Sequence, residues 1–250
     1  MSMGEIFLWE MLGTAVLVLL GTGVVANNVL RKTNGNNTGT LFINIGWGFA
    51  VFTGASLAAP TGAHLNPAIT IPLAIVDKTA WSDVPVYIAA QMVGGVLGAV
   101  VCWATYKLQF DDHPEPGKTL GIFSTAPQIE SKPWNLVTEI IGTFVLVAFV
   151  LFTPSYIGVG DPGNSGLGYA GVAFVVLVIG TSLGGPTGYA INPARDLGPR
   201  LAYAFLLPIK GKGAAQWAYA WVPVLGPIIG GTLAGLLFEI APDPGARYQP

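Results

Sequence analysis

The sequence predicts an all-α membrane protein with six transmembrane helices and two short re-entrant half-helices, arranged as an inverted repeat. Three observations carry that prediction. The chain of 250 residues is 52% hydrophobic and only 10% charged, far from the roughly 25% charged residues of soluble domains, and its mean hydropathy is +0.60. The stretch Pro60-Thr61-Gly62-Ala63-His64-Leu65-Asn66-Pro67-Ala68 returns 126 residues later as Pro186-Thr187-Gly188-Tyr189-Ala190-Ile191-Asn192-Pro193-Ala194. Glu10-x-x-Gly13-Thr14-x-x-Leu17-Val18 returns at an offset of 129 as Glu139-x-x-Gly142-Thr143-x-x-Leu146-Val147. Nearly constant offsets mean an internal duplication.

The first span runs from about Ile6 to Asn28 and holds Glu10 inside the apolar stretch. No Lys or Arg precedes that stretch, and it is too long for the apolar region of a signal peptide. A polar loop, Arg31 to Gly39, ends it. The second span, about Thr40 to Ala59, carries Trp47, Gly48 and Gly54, small residues beside one large ring that allow close helix contact. Asn followed by Pro then starts a helix, because Asn caps free N–H groups and the fixed φ of Pro suits the first helical position. This helix, Asn66 to about Val76, is too short to cross a bilayer at 1.5 Å per residue, so it is re-entrant or interfacial. The third span, about Val84 to Tyr106, has Gly94, Gly95 and Gly98 on one side.

Lys107 to Pro133 is polar and rich in Asp, Pro and Gly, and reads as an exposed loop. The pattern then restarts. The fourth span, about Trp134 to Thr153, holds Glu139; the fifth, about Leu167 to Gly184, aligns Gly180 with Gly54 and leads into the second Asn-Pro-Ala helix. The sixth, about Trp217 to Ile240, repeats Gly94-x-x-x-Gly98 as Gly226-x-x-x-Gly230. The chain therefore reads as one channel domain over residues 1–250, with repeat 1 at about 1–106, a loop at 107–133 and repeat 2 at about 134–240. Three spans per repeat is an odd number, so the second half lies upside down relative to the first.

Geometry then suggests a pore. Two half-helices of about 15 Å entering from opposite faces can meet near the midplane of the roughly 30 Å core. Irregular backbone at that depth survives only where it lines a cavity or is buried in protein. The backbones of Gly62, Ala63, His64 and Leu65, and of Gly188, Ala190 and Ile191, are accordingly expected to supply carbonyls to the lining. Asn66 and Asn192 would place amide donors at the centre, where each helix N-terminus contributes about half a positive charge. A neutral molecule can accept from these donors, whereas a cation meets a barrier.

Arg195 breaks the repeat, since its counterpart is Ile69, and an intramembrane Arg costs at least about 2.5–3.5 kcal/mol. It lies on the first turn after Asn192 and can point along the lumen. A snorkelling role fits Arg200 better, and Asp196 is expected to pair with Arg200 or tether the following loop. Glu10 and Glu139 are expected to accept from the buried loop N–H groups and hold the loop carbonyls toward the lumen, with proton coupling as the alternative. His64 has no symmetric counterpart and reads as a satisfied buried ring, with a pH sensor as the alternative. Spacing alone leaves Trp47 and Tyr189 open between core and lipid belt and does not put either in the pore.

The single cysteine, Cys102, sits in an apolar helix, so no disulfide framework or metal-site spacing is expected, and it reads as a packing residue. No cofactor is implied. No basic cluster suggests nucleic acid, and no Ser/His/Asp set or phosphate loop suggests an enzyme.

On these motifs the chain resembles the major intrinsic protein family of aquaporins, and within it the bacterial glycerol facilitators, or aquaglyceroporins. The carrying residues are Gly62-Ala63-His64-Leu65-Asn66-Pro67-Ala68, Asn192-Pro193-Ala194-Arg195-Asp196-Leu197-Gly198-Pro199-Arg200 and the duplicated Glu-x-x-Gly-Thr. Asp196 after Arg195 resembles the glycerol-conducting branch. The resemblance implies a selectivity filter at Trp47, Gly180, Tyr189 and Arg195, with Gly46 as the competing match to Trp47 because the loop before Asn66 is one residue shorter. It also implies a homotetramer in the bacterial plasma membrane, conducting glycerol and water. Familiar bacterial facilitators carry Phe where this chain has Tyr189, which adds a hydroxyl at the filter.

Both termini in the cytoplasm, as the resemblance implies, place Arg31, Lys32, Lys107, Lys118, Lys132, Lys210 and Lys212 outside, leaving chiefly Lys78 and Arg247 inside, against the positive-inside bias. The alternative function is an ion- or proton-coupled secondary transporter, which shares inverted repeats and broken helices, or a channel for another small solute such as protonated lactic acid.

Overall fold

A computed structural model describes residues 1–153 and 165–241; Arg247 therefore lies outside the described residues. Helix α1 (Met3–Val29) begins at a capping box in which Ser2 accepts from the Glu5 N–H while Glu5 accepts from the Ser2 N–H. Helix α2 (Thr40–Leu57) follows, then a 3₁₀ turn (Ala59–Thr61) and the half-helix α3 (Pro67–Ile75). The first repeat closes with α4 (Val84–Thr105). The second holds α7 (Lys132–Phe152), α8 (Ser165–Leu183), the half-helix α9 (Pro193–Phe205), and the pair α10 (Trp217–Ala220) and α11 (Val222–Ile240). Among the described residues, five stretches are long and apolar enough to cross a bilayer: α1, α2, α4, α7 and α10 with α11 taken together. The apolar part of α8, Gly168–Leu183, is shorter.

The apolar residues of these helices form no single stripe, because one side of each packs against protein and the other faces outward. Leu8, Leu20, Phe49, Leu97, Ile141 and Leu236 are among the large side chains left exposed, as lipid-facing residues must be. The two repeats pack in parallel fashion: α1 against α2 and α4, and α7 against α8 and α11. Backbones approach closely through the duplicated glycines. A β-carbon on Gly98 would stand 2.5 Å from the Ala15 carbonyl, and one on its repeat partner Gly230 would overlap the Ile140 carbonyl.

The half-helices are exchanged between repeats. Helix α3 packs on α11, and α9 packs on α4. Each re-entrant helix is thus buried mainly against the other half of the chain, and the duplication folds as one body around a shared centre.

One expectation about the fold needs correction. The segment 107–133 is not simply an exposed loop: it forms α5 (Lys107–Asp112), a 3₁₀ turn (Pro116–Lys118) and α6 (Leu120–Phe123). Leu120, Ile122 and Phe123 are buried, because α6 packs onto α1 and α9 and the Phe123 ring lies between those of Phe110 and Tyr203. The sixth span runs over Trp217–Ile240 as expected, with a single turn residue, Trp221, between α10 and α11 and Pro223 in the first turn of α11, where it suits a helix start.

Five of the seven cations expected outside, Arg31, Lys32, Lys107, Lys118 and Lys212, have partners. Asp112 accepts from both Arg31 and Lys32, Lys107 pairs with Asp111 and Lys118 with Glu115. Lys212 donates to the carbonyls of Tyr203, Ala204 and Leu207, placing a positive charge at the C-terminus of α9, where the helix dipole favours it.

Candidate functional site

The two half-helices start as their sequences dictate. Asn66 caps α3 by accepting from the Ala68 N–H at 2.8 Å, and Asn192 caps α9 by accepting from Ala194 at 2.9 Å and Arg195 at 3.2 Å. The other end of each amide reaches across to the opposite repeat. Asn66 Nδ2 donates to the Ile191 carbonyl and Asn192 Nδ2 donates to the Leu65 carbonyl, both at 2.8 Å. Since a side-chain amide has two N–H groups, each asparagine keeps one donor beyond this crossed pair.

Both loops reach that point along a left-handed backbone. Gly62, Ala63 and Leu65 have φ of 81, 55 and 52°, and Gly188, Tyr189 and Ile191 have 82, 39 and 43°. For residues other than glycine this costs about 1–2 kcal/mol each, and the duplicated carboxylates offset it. Glu10 Oε1 accepts from Thr61 Oγ1 at 2.7 Å and the His64 N–H at 2.9 Å, while Oε2 accepts from the Leu65 N–H at 2.7 Å. Glu139 repeats this with Thr187 at 2.7 Å, Ala190 at 3.0 Å and Ile191 at 2.9 Å. The loop N–H groups are thus turned toward the protein.

Glu10 has a further donor, Gln91 Nε2 at 2.8 Å, which sequence reasoning missed. An isolated amide in an apolar helix one turn before a Gly-Gly pair is the signal. An offset of 132, that of Gly94 and Gly226, puts Pro223 in its place, so repeat 2 lacks this bond. His64 is buried, stacked on Tyr87 with centroids 4.1 Å apart, and its Nδ1 lies 3.2 Å from Thr70 Oγ1.

The two loops border a cavity of about 90 Å³. Asn66, Asn192, Trp47, Tyr189 and Arg195 lie on its wall, with Gly62, Ala63, His64 and Leu65 from one loop and Ala190 and Ile191 from the other. Apolar side chains including Leu17, Val51, Val150 and Val172 complete it, giving a polar stripe on a greasy wall. Tyr169 also lines it, a residue the sequence reading did not single out. Trp47 rather than Gly46 faces this space: a β-carbon on Gly46 would meet Val24 at 2.5 Å, whereas the Trp47 ring rests on Gly21 and beside the cavity.

Gly180 and Gly188 are not among the residues that line this cavity. Gly180 is covered by Tyr189, whose Cζ would lie 2.7 Å from a β-carbon there. The N–H of Gly188 is taken by the Gly184 carbonyl at 2.8 Å.

Arg195 is 8% exposed, and that remainder faces the cavity. Its guanidinium stacks 3.9 Å from the Trp47 ring centroid and Nη1 donates to the Phe123 carbonyl at 3.3 Å. One weak bond and one cation–π contact leave most of its five donors for whatever enters. Behind it, Asp196 Oδ1 takes the Arg200 guanidinium at 2.7 and 3.0 Å, and Oδ2 takes the Thr125 N–H and hydroxyl at 2.6 and 2.7 Å. Arg200 also donates to the Thr125 and Ala215 carbonyls, each at 2.8 Å. Arg200 therefore does not snorkel: it is fully buried, because a carboxylate and two carbonyls satisfy its fork. Asp196 does pair with Arg200, but the segment it tethers is the one before α7, not the one after α9.

Comparison with known proteins agrees with this architecture. The family model described as Major intrinsic protein matches residues 2–238. Glycerol uptake facilitator protein 3 of Lactiplantibacillus plantarum is 48% identical over 94% of this chain and 96% of its own length. The glycerol uptake facilitator protein of Bacillus subtilis is 47% identical over 94% of this chain and 84% of its own. Among solved structures, the aquaglyceroporin from Plasmodium falciparum superimposes with a TM-score of 0.81 at 27% identity, covering 96% of this chain and 97% of that one. The cavity, the crossed asparagines and these similarities lead to one statement of identity: the chain belongs to the major intrinsic protein family, with its fold of six spans and two re-entrant loops.

Proposed function

We propose that this multi-pass cell-membrane protein is a passive channel that lets glycerol and other small uncharged solutes, together with water, move down their gradients. The observation that carries the reading is the meeting of Asn66 and Asn192 on the wall of the same cavity as Trp47, Tyr189 and Arg195. It is supported by membership of a channel family and by relatives that are themselves glycerol uptake facilitators.

A polyol has a carbon backbone and a row of hydroxyls. The Trp47 and Tyr189 rings form the wall for the carbons. Arg195, the free amide N–H groups of Asn66 and Asn192, and the loop carbonyls replace the water lost by the hydroxyls. The same donors repel cations, since the guanidinium and two helix N-termini place positive charge along the path. A proton relay is interrupted where both asparagines donate. Glu10 and Glu139, the groups a coupled transporter would use, are occupied by at least three donors each, which favours a holding role and a passive pore. We infer a homotetramer in the lipid bilayer, the assembly the family resemblance implies.

Stopped-flow swelling of proteoliposomes tests the reading. Glycerol should enter without a sodium or proton gradient; uphill uptake driven by such a gradient would favour the transporter.

A further inference from the structure

The cavity wall contains a tyrosine whose hydroxyl is engaged by the protein. Tyr189 is 9% exposed and lines the cavity, so the sequence alone would offer Oη to a solute as an extra hydrogen-bonding group. Instead Oη donates to Asn44 Oδ1 at 2.8 Å. Asn44 is on α2, one turn before Trp47, and is itself buried at 6% exposure without lining the cavity.

The contact is tight on every side. A β-carbon on Gly180 would stand 2.7 Å from Tyr189 Cζ, 2.9 Å from Oη and 3.0 Å from Asn44 Cγ. Just past the end of α8, a β-carbon on Gly184 would overlap Tyr189 Cδ1. The two glycines thus form a trough for the ring, and Asn44 closes its far end. A buried phenol needs a partner. Without Asn44 the accessible alternative for this hydroxyl is the lumen, with its water, carbonyls and solute.

We propose that Asn44 is a positioning residue for solute selectivity: it ties the Tyr189 phenol back over Gly180, so that the tyrosine shows the solute an aromatic wall and no hydroxyl. The inference rests on reading Trp47, Tyr189 and Arg195 as the constriction. It also alters the expectation that tyrosine here adds a hydroxyl to the filter. A phenol released by loss of Asn44 adds bulk and a competing hydrogen-bonding group to the slot, which hinders a three-carbon polyol more than water.

The test is a mutant cycle read as the ratio of glycerol to water permeability in proteoliposomes, a quantity independent of how much folded protein is present. Asn44→Leu, close to isosteric, should lower the ratio about 3- to 10-fold in the Tyr189 protein and less than twofold in the Tyr189→Phe background, because no hydroxyl is then released. Replacing both partners with apolar groups is the tolerated combination. If Asn44→Leu does not fold, Asn44→Ser, too short to reach Oη, is read in the same two backgrounds. An unchanged ratio in the Tyr189 protein, or an equal fall in both backgrounds, overturns the proposal. Arg195→Ala, measured in parallel, separates the two failures. If it leaves exclusion of larger polyols intact, the constriction itself is misplaced. If it relaxes exclusion while Asn44→Leu changes nothing, only the role of Asn44 is lost.

Discussion

Asn66 and Asn192 hold each other's loops: the amide of each donates at 2.8 Å to the carbonyl immediately preceding the other. This crossed pair joins repeats whose half-helices are already exchanged. Each asparagine performs two tasks with one amide, capping its helix through Oδ1 and bracing the opposite loop through one N–H, with the second N–H beyond both. Asn66→Ala should therefore lower stability by about 1–3 kcal/mol, the cost of orphaning a buried partner, and reduce glycerol flux. Thermal unfolding of the purified protein, set beside flux normalised to protein, reads both effects.

The carboxylate braces differ in redundancy. Removing the Thr61 hydroxyl leaves Glu10 with two loop N–H donors and Gln91, whereas removing the Thr187 hydroxyl leaves Glu139 with two loop N–H donors alone. Hydrogen bonds to a charged group contribute about 1.5–3 kcal/mol. Thr187→Val is expected to destabilise more than Thr61→Val, and Gln91→Leu should abolish that difference. Melting curves of the four proteins decide the order.

Arg200 and Asp196 form an ion pair with no exposed surface. Breaking one partner of such a pair costs about 3–5 kcal/mol because a buried charge is left behind. Arg200→Met should prevent accumulation of folded protein in the membrane, while Arg200→Lys, which keeps the charge but not the planar fork, should retain a reduced amount. Equal yields of wild type and Arg200→Met would contradict the network.

Outside the membrane, Asp112 and His113 clasp the polar loop after α1. Hydrogen bonds from Lys32 and Arg31 hold the Asp112 carboxyl below its usual range, and desolvation holds His113 below its ordinary value, in keeping with the Arg31 N–H donating to its Nδ1 at 3.4 Å. For both groups the folded pKa is depressed, so their contribution is present above the unfolded value and lost as pH falls through the folded one. The clasp should loosen first as His113 protonates, below about pH 6.5, the ordinary histidine value, and again below the usual carboxylate range as Asp112 protonates. Amide exchange in residues 107–118 should rise on acidification while α1 stays protected. As these ion pairs are exposed, the effect on overall stability is small.

How much of this was legible in the sequence follows from the duplication. Glu10 could be read as a brace because Glu139 repeats it, and Asn66 as a central donor because Asn192 does. Gln91 could not, since Pro223 stands in its place. Asn44 was invisible for a different reason: its partner Tyr189 is 145 residues away, and nothing in the spacing of α2 brings the two together. The pairing of Arg200 with Asp196 follows from one helical turn, but its burial depends on carbonyls of Thr125 and Ala215 supplied by remote segments. The fold of residues 120–123 was hidden by the polar residues around them, although their apolar spacing marks a buried face.

Arg195 sits where cavity, aromatic wall and charge meet, and replacing it tests the filter without dismantling the fold. Arg195→Ala removes the cation–π contact with Trp47, and the bond to Phe123. It should admit larger polyols and weaken exclusion of small cations.

The most direct test of the central claim is glycerol permeability of proteoliposomes holding the purified protein, measured by stopped-flow light scattering with no ion gradient. The account predicts rapid glycerol entry that follows the glycerol gradient alone and is strongly reduced in Asn66→Ala. Brisk water flow with no glycerol entry, or glycerol uptake that requires sodium or a proton gradient, would contradict it.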